Sequence, residues 1–162
     1  MECMTECLFA SGFLGASLYM MFTDKESSSY NKLYNSLSKS KKEAFNKIKK
    51  ERMMIWFKAT LFGVFASITF SKFKDNIFNS NNVFNISCIN TLIFFSVQYF
   101  VYILHPKSDW MLNHVDNNVQ AKAWLTKYKY MQRKWHIGIV LGIIGYYLLS
   151  VTLFKNNTSK LV

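Results

Sequence analysis

Several things are scarce in this 162-residue chain, and each scarcity excludes something. Proline occurs once, at position 106, so little interrupts helical runs on either side of it. Acidic residues number nine against twenty lysines and arginines, leaving a formal net charge of +11. Cysteine occurs three times, at positions 3, 7 and 88, without the C-x-x-C spacing of a dithiol redox centre. No phosphate-binding loop, nucleophile elbow or paired-carboxylate pattern is present. The region before the first apolar run carries Glu2 and Glu6 but no lysine or arginine. A cleaved secretory signal needs a positive n-region there, so we expect a retained span. We therefore expect a non-enzymatic protein with no catalytic residues, no cofactor and no metal.

What the chain does have is 51% apolar residues gathered into four blocks with lysine-rich stretches between them. Such segregation argues for membrane spans rather than an amphipathic soluble core. The blocks lie at about 4–22, 53–71, 88–104 and 136–154, each close to the length that crosses a bilayer core. The expected fold is all-α: one transmembrane domain over 1–162, an integral membrane four-helix bundle with basic cytosolic loops and an amphipathic interfacial helix. Small residues four apart let helices approach closely. They mark Ser11 and Gly15 (or Gly12 and Ala16) in the first span, Ala59, Gly63 and Ser67 in the second, and Gly138, Gly142 and Gly145 in the fourth. Gln98, in the middle of the third span, should hydrogen-bond across the bundle; a substrate contact is its other reading. Lys58 lies roughly 7 Å beyond the start of the second span. Its stem can snorkel back to the surface, or its ammonium can be buried for a function.

Charge sets the expected orientation. Segment 23–52 holds nine lysines and arginines and 106–135 holds six, whereas the opposite side holds only Lys72, Lys74, Lys155 and Lys160. The positive-inside rule then puts both long loops in the cytosol and both termini on the non-cytosolic side. The sequons at Asn85, Asn156 and Asn157 are compatible with that sidedness. All four tryptophans, Trp56, Trp110, Trp124 and Trp135, fall at the cytosolic interface. In the first loop, DKESSSYN is loop-like, and Ser40 to Glu43 fits a capping box opening a helix that runs unbroken into the second span. In the second loop, Trp124, Tyr128, Met131 and Trp135 recur at helical spacing among basic residues. This stripe suits a helix lying on the membrane surface; a rigid extension of the fourth span, its stripe kept for a protein partner, is the alternative.

Two constellations carry possible chemistry. Cys3, Cys7 and Cys88 fall on the same side of the membrane, where a disulfide, inert thiols or a redox role are open. His105, Asp109, His114, Asp116 and His136 lie in or beside the second loop at spacings that match no metal signature. Helix capping and polar span ends are the ordinary account of them.

The run Pro106-Lys-Ser-Asp-Trp-Met111, then Trp124-Leu125, Tyr128, Met131-Gln132, His136 and Gly138 with its glycine-spaced span, resembles small multi-spanning membrane proteins of large nucleocytoplasmic DNA viruses. The resemblance covers about 40 residues at the C-terminal end. It implies a structural or assembly component of a viral inner membrane, or of host endomembrane, that contacts capsid or other membrane proteins. Membrane lipids, anionic ones above all, are expected partners of the basic face; direct nucleic-acid binding is not expected. Two other readings stay open. One is an accessory subunit of a protist or organelle membrane complex, and the other a small membrane redox or metal enzyme.

Overall fold

The computed structural model describes residues 2–23, 28–77 and 82–158, with side chains for 5–23, 31, 33–74 and 82–155. These residues are all-α. Helices run Glu2–Phe22 (α1), Ser28–Ser36 (α2), Lys39–Ile77 (α3), Val83–Leu104 (α4) and Asn118–Thr158 (α5), with a short 3-10 helix at Met111–His114. The four longest are long and apolar enough to cross a membrane, and the chain is a multi-pass membrane protein on that ground.

Local chemistry sets several helix ends. The Asn82 side chain accepts from Phe84 N at 3.1 Å and opens α4. Pro106 stops it, and Lys107 Nζ donates to the carbonyls of Tyr102, Ile103 and His105 at 3.0–3.2 Å, covering the terminal acceptors. The side chain of Asn117 accepts from Gln120 N at 2.8 Å and caps α5. At α3 the first carbonyl taken up is that of Ser38, which accepts from Lys42 N at 3.0 Å. The helix thus begins at Lys39, and Ser40 already lies inside it rather than capping it.

Nothing breaks α3 or α5 where they leave the bilayer. At 39 and 41 residues they are about 58 and 62 Å long, roughly twice a hydrocarbon core. The aromatic, basic stretch expected to lie on the surface is therefore nearly the first half of α5, continuous with the fourth span. No glycine or proline interrupts residues 118–137, so the backbone has no reason to turn. A second departure is α2, which begins within the stretch read as a loop.

In the membrane region α3 packs on α4, α4 on α5 and α5 on α1. Gln98 faces Thr60, Phe94 lies against Gly63 and Tyr146, and Ser17 meets Gly138, so each of these neighbours is antiparallel. The start of α1 and the end of α5 consequently lie at one end of the bundle. The projecting parts of α3 and α5, with α2 and residues 105–117, form a headpiece at the other.

The glycine seam of α5 faces α1. A Cβ on Gly145 would stand 2.9 Å from Leu14 N and 3.0 Å from Phe13 Cβ; one on Gly142 would meet Ser17 Oγ at 3.0 Å. On Gly138 it would meet the flexible Met21 Cγ at 2.8 Å. Ser17 Oγ also donates to the Gly138 carbonyl at 2.6 Å. On α1 the roles differ from those expected. Ser11 is exposed and donates to the Leu8 carbonyl of its own helix, and nothing lies within 4 Å of a Cβ on Gly12 or Gly15. The packing face of α1 is set by the larger side chains Phe13, Leu14 and Met21, which fill the space that the α5 glycines leave.

The second seam faces α4 and α5. Ala59 is fully buried, and a Cβ on Gly63 would lie 3.0 Å from the Phe94 carbonyl. Gln98 Nε2 donates to Thr60 Oγ1 at 2.8 Å. A polar group of residues follows deeper in. Asn90 Nδ2 donates to Ser150 Oγ at 3.1 Å, and Tyr146 OH donates to Ser67 Oγ at 2.7 Å. The Tyr146 ring stacks on Phe94 with centroids 4.3 Å apart. In hydrocarbon such groups have no water to return to, so the pairings tie α3, α4 and α5 into one register.

Candidate functional site: the basic headpiece

The headpiece has its own hydrophobic core. Leu33 of α2, Leu37 just beyond its end, Phe45 of α3 and Met111 of the 3-10 helix are buried together, with Tyr34, Ile48, Ala123 and Trp124 packed around them. Leu33 and Tyr34 lie in the last turn of the nine-residue α2, and Leu37 follows directly after Ser36. Gln120 Nε2 ties α2 to α5 by donating to the Ser36 carbonyl at 2.9 Å. Lys42 lies 5.0 Å from the centre of the Tyr34 ring, and Lys41 pairs with Asp116. The two long segments are thus one folded unit rather than separate loops.

Residues 105–117 are clamped to α3. Glu51 accepts from Ser108 N at 2.8 Å and from Ser108 Oγ at 2.7 Å. Arg52 Nη2 donates to the Asp109 carbonyl at 2.7 Å, and its guanidinium lies 4.8 Å from the centre of the Trp110 ring. Asp109 accepts from Trp110 N at 2.7 Å and Asn113 Nδ2 at 3.2 Å, and lies 2.6 Å from His114 Nε2. The hydrogen bond with His114, then that from Trp110, holds the Asp109 carboxyl below the usual carboxylate range. The Ser108 backbone and hydroxyl do the same for Glu51.

Because both values are depressed in the folded state, the clamp contributes stability above about pH 4 and loses it as pH falls through the lower folded values. We expect Trp110 emission to shift to the red in that acid range. In Glu51→Gln the shift should begin at higher pH. Identical acid profiles for the two proteins would remove Glu51 from the clamp.

Of the histidine and aspartate cluster, the structure brings together Asp109 and His114 only. His136 instead turns to the Gln132 carbonyl, 2.7 Å from its Nδ1, and Asp116 pairs with Lys41. No group of three or more histidine, cysteine or acidic side chains able to hold a metal occurs among the described residues. Cys7 and Cys88 are free thiols, both exposed, and the Cys3 side chain lies outside those described.

Two opposite faces distinguish the headpiece part of α5. At 100° per residue, Lys122, Lys129 and Arg133 fall within about 20° of one line. All three are exposed. Trp124, Tyr128, Met131 and Trp135 occupy the opposite side. Trp124 packs on the headpiece core, Tyr128 is exposed, and Met131 and Trp135 are half-buried. On α3, Lys39, Lys47, Lys49 and Lys50 are likewise exposed. Lys127 is fully buried, and Lys134 Nζ donates to the Thr23 carbonyl at 2.5 Å, covering the C-terminal end of α1. At the membrane end of the headpiece, Trp56 meets Phe22 edge-on with centroids 5.0 Å apart, and Lys58 is exposed on α3.

Sequence reasoning did not single out Leu33, Leu37, Asn90, Tyr146 or Ser150. Asn90 had a detectable signal, being an amide in an apolar span eight residues before Gln98 and roughly on its face. Comparison with protein-family models, curated proteins and solved structures finds no match to this chain.

Proposed function

We propose that this protein is a non-enzymatic assembly component of a membrane, a four-span anchor that holds a small basic headpiece rigidly on the cytosolic side. The observation carrying this reading is the pair of opposite faces on α5. The aromatic face turns in part onto the protein's own core, so the cations Lys122, Lys129 and Arg133 project away from it. A surface of that kind suits an acidic partner: anionic lipid, the acidic face of a capsid layer or a neighbouring membrane protein. The resemblance of the 106–138 stretch supports placing the chain in the inner membrane of a large cytoplasmic DNA virus. Positive charge concentrated in the headpiece supports cytosolic placement, with both termini on the other side.

The test is co-purification from the membranes in which the protein resides, comparing wild type with a Lys122→Glu/Lys129→Glu/Arg133→Glu variant. The triple substitution is at exposed positions and should leave thermal stability within about 1 kcal/mol. Capsid or viral membrane proteins that accompany the wild type and are lost with the variant support the reading. Respiratory or translocon subunits in their place would favour an accessory subunit of a cellular complex. An unchanged partner list in the variant would show that the basic face is not the contact.

A further inference from the structure

A shallow, wide-open groove of about 500 Å³ lies on the outer surface of α3 where it meets α4, in the half of the bundle remote from the headpiece. Phe65, Ala66, Thr69, Phe70, Phe73 and Ile93 line it. The Thr69 hydroxyl donates to the Phe65 carbonyl at 2.9 Å, so the groove offers an incoming molecule almost nothing polar. Phe65 and Phe73 stand exposed on its rim, while Phe70 is buried at its base. From Phe65 to Phe73 the groove extends about 12 Å along the helix. That is close to the hydrocarbon depth of one leaflet, half of about 30 Å.

The groove ends where the chain reaches the interface, and Lys72 and Lys74 flank Phe73 there. Lys72 is exposed. The Lys74 ammonium lies 5.9 Å from the centre of the Phe154 ring, which packs with Phe70 and Ile86. Elsewhere at this end, the described carboxylate Glu6 is engaged by Lys155 at 3.4 Å. Asp75, one residue beyond Lys74, carries the opposite charge and its side chain lies outside those described; the described charged side chains that flank the mouth of this apolar groove, Lys72 and Lys74, are both cationic.

We propose that this groove binds one anionic phospholipid of the leaflet on the side of the termini. An acyl chain lies along Phe65, Phe70, Phe73 and Ile93, and the headgroup phosphate meets Lys72, with Lys74 beside it. A zwitterionic lipid gains the same chain contacts but less from the lysines, so the site discriminates by charge. This site is on the opposite side from the headpiece and does not depend on what the headpiece binds.

The full chain, with Lys122, Lys129 and Arg133 changed to glutamine to silence the headpiece, is purified in mild detergent. It is then titrated with phosphatidylglycerol or phosphatidylcholine of identical chains, and bound lipid is counted by native mass spectrometry. We expect one tightly retained phosphatidylglycerol, favoured over phosphatidylcholine by about fivefold for each lysine engaged, or about 1 kcal/mol each. Lys72→Gln should reduce that preference about fivefold, and Ala66→Phe, which fills the groove, should lower retention of both lipids. The lysine substitution is at an exposed site, so the test stands even if Ala66→Phe fails to fold. Equal retention of the two lipids by the parent protein, or an unchanged preference in Lys72→Gln, would overturn the proposal.

Discussion

Leucine in place of Gly145 will pry α1 away from α5 and cost about 3 kcal/mol of bundle stability, the upper part of the range for overpacking. Even its Cβ would stand 2.9 Å from the backbone nitrogen of Leu14, and backbone within a helix cannot step aside as a side chain can. Gly142→Leu should cost somewhat less, since the nearest atom there is the Ser17 hydroxyl at 3.0 Å, which a rotamer change can move. Gly138→Leu should be milder again, because Met21 gives way first. Leucine at Gly15, a residue of the same kind in the opposing helix, should leave stability within about 0.5 kcal/mol. Its Cβ would meet nothing within 4 Å. Unfolding in mixed micelles measures all four. Equal losses at Gly145 and Gly15 would mean that α1 packs on α5 by its other face.

Truncating the headpiece core should have an effect of similar size, confined to the other end of the molecule. Leu33 is 1% exposed and bridges α2 to Phe45 and Met111, so Leu33→Ala removes a fully buried side chain from a small cluster. A cost of about 3 kcal/mol is expected for a cavity of that kind. A cluster of four buried side chains cannot absorb that loss, and α2 should detach. Limited proteolysis should then cut within 28–52, and Trp124 emission should shift to the red, while the membrane-embedded part stays protected. Resistance to protease equal to that of wild type would mean that the headpiece is held by its polar contacts instead.

The parts of this fold legible in sequence are those governed by solvent. Each of the four apolar blocks lies within one helix, and α4 ends at Leu104, where Pro106 forbids continuation. Less legible was where helices stop outside the bilayer, because no hydrophobic length sets that boundary. The absence of glycine and proline from residues 118–137 lets the helix continue without fixing its direction; the packing of Trp124 against the headpiece core decides it. The start of α2, residues 28–31, lies in the stretch that reads as loop, and Leu33 and Leu37 beyond it pack on Met111, more than seventy residues away. The glycines of α5 lie against α1, whereas Gly12 and Gly15 of α1 have nothing within 4 Å of a Cβ. Close approach needs only one glycine-bearing helix when the other supplies a ridge of larger side chains. In the headpiece, the aromatic stripe and its basic surroundings were visible as periodicity. The clamp by Glu51 and Arg52 was not, because it joins residues fifty-seven apart that share no pattern.

The fold requires four crossings with the two basic segments folded together on one side. Single cysteines at Ser38, Lys122 and Asn85, in a chain whose own three cysteines are changed to serine, test this in sealed cells with a membrane-impermeant maleimide. Ser38 and Lys122 should behave alike and remain unlabelled until the membrane is opened, whereas Asn85 should label at once. Labelling of Lys122 together with Asn85, or of Ser38 without Lys122, would contradict the four-span arrangement and the headpiece with it.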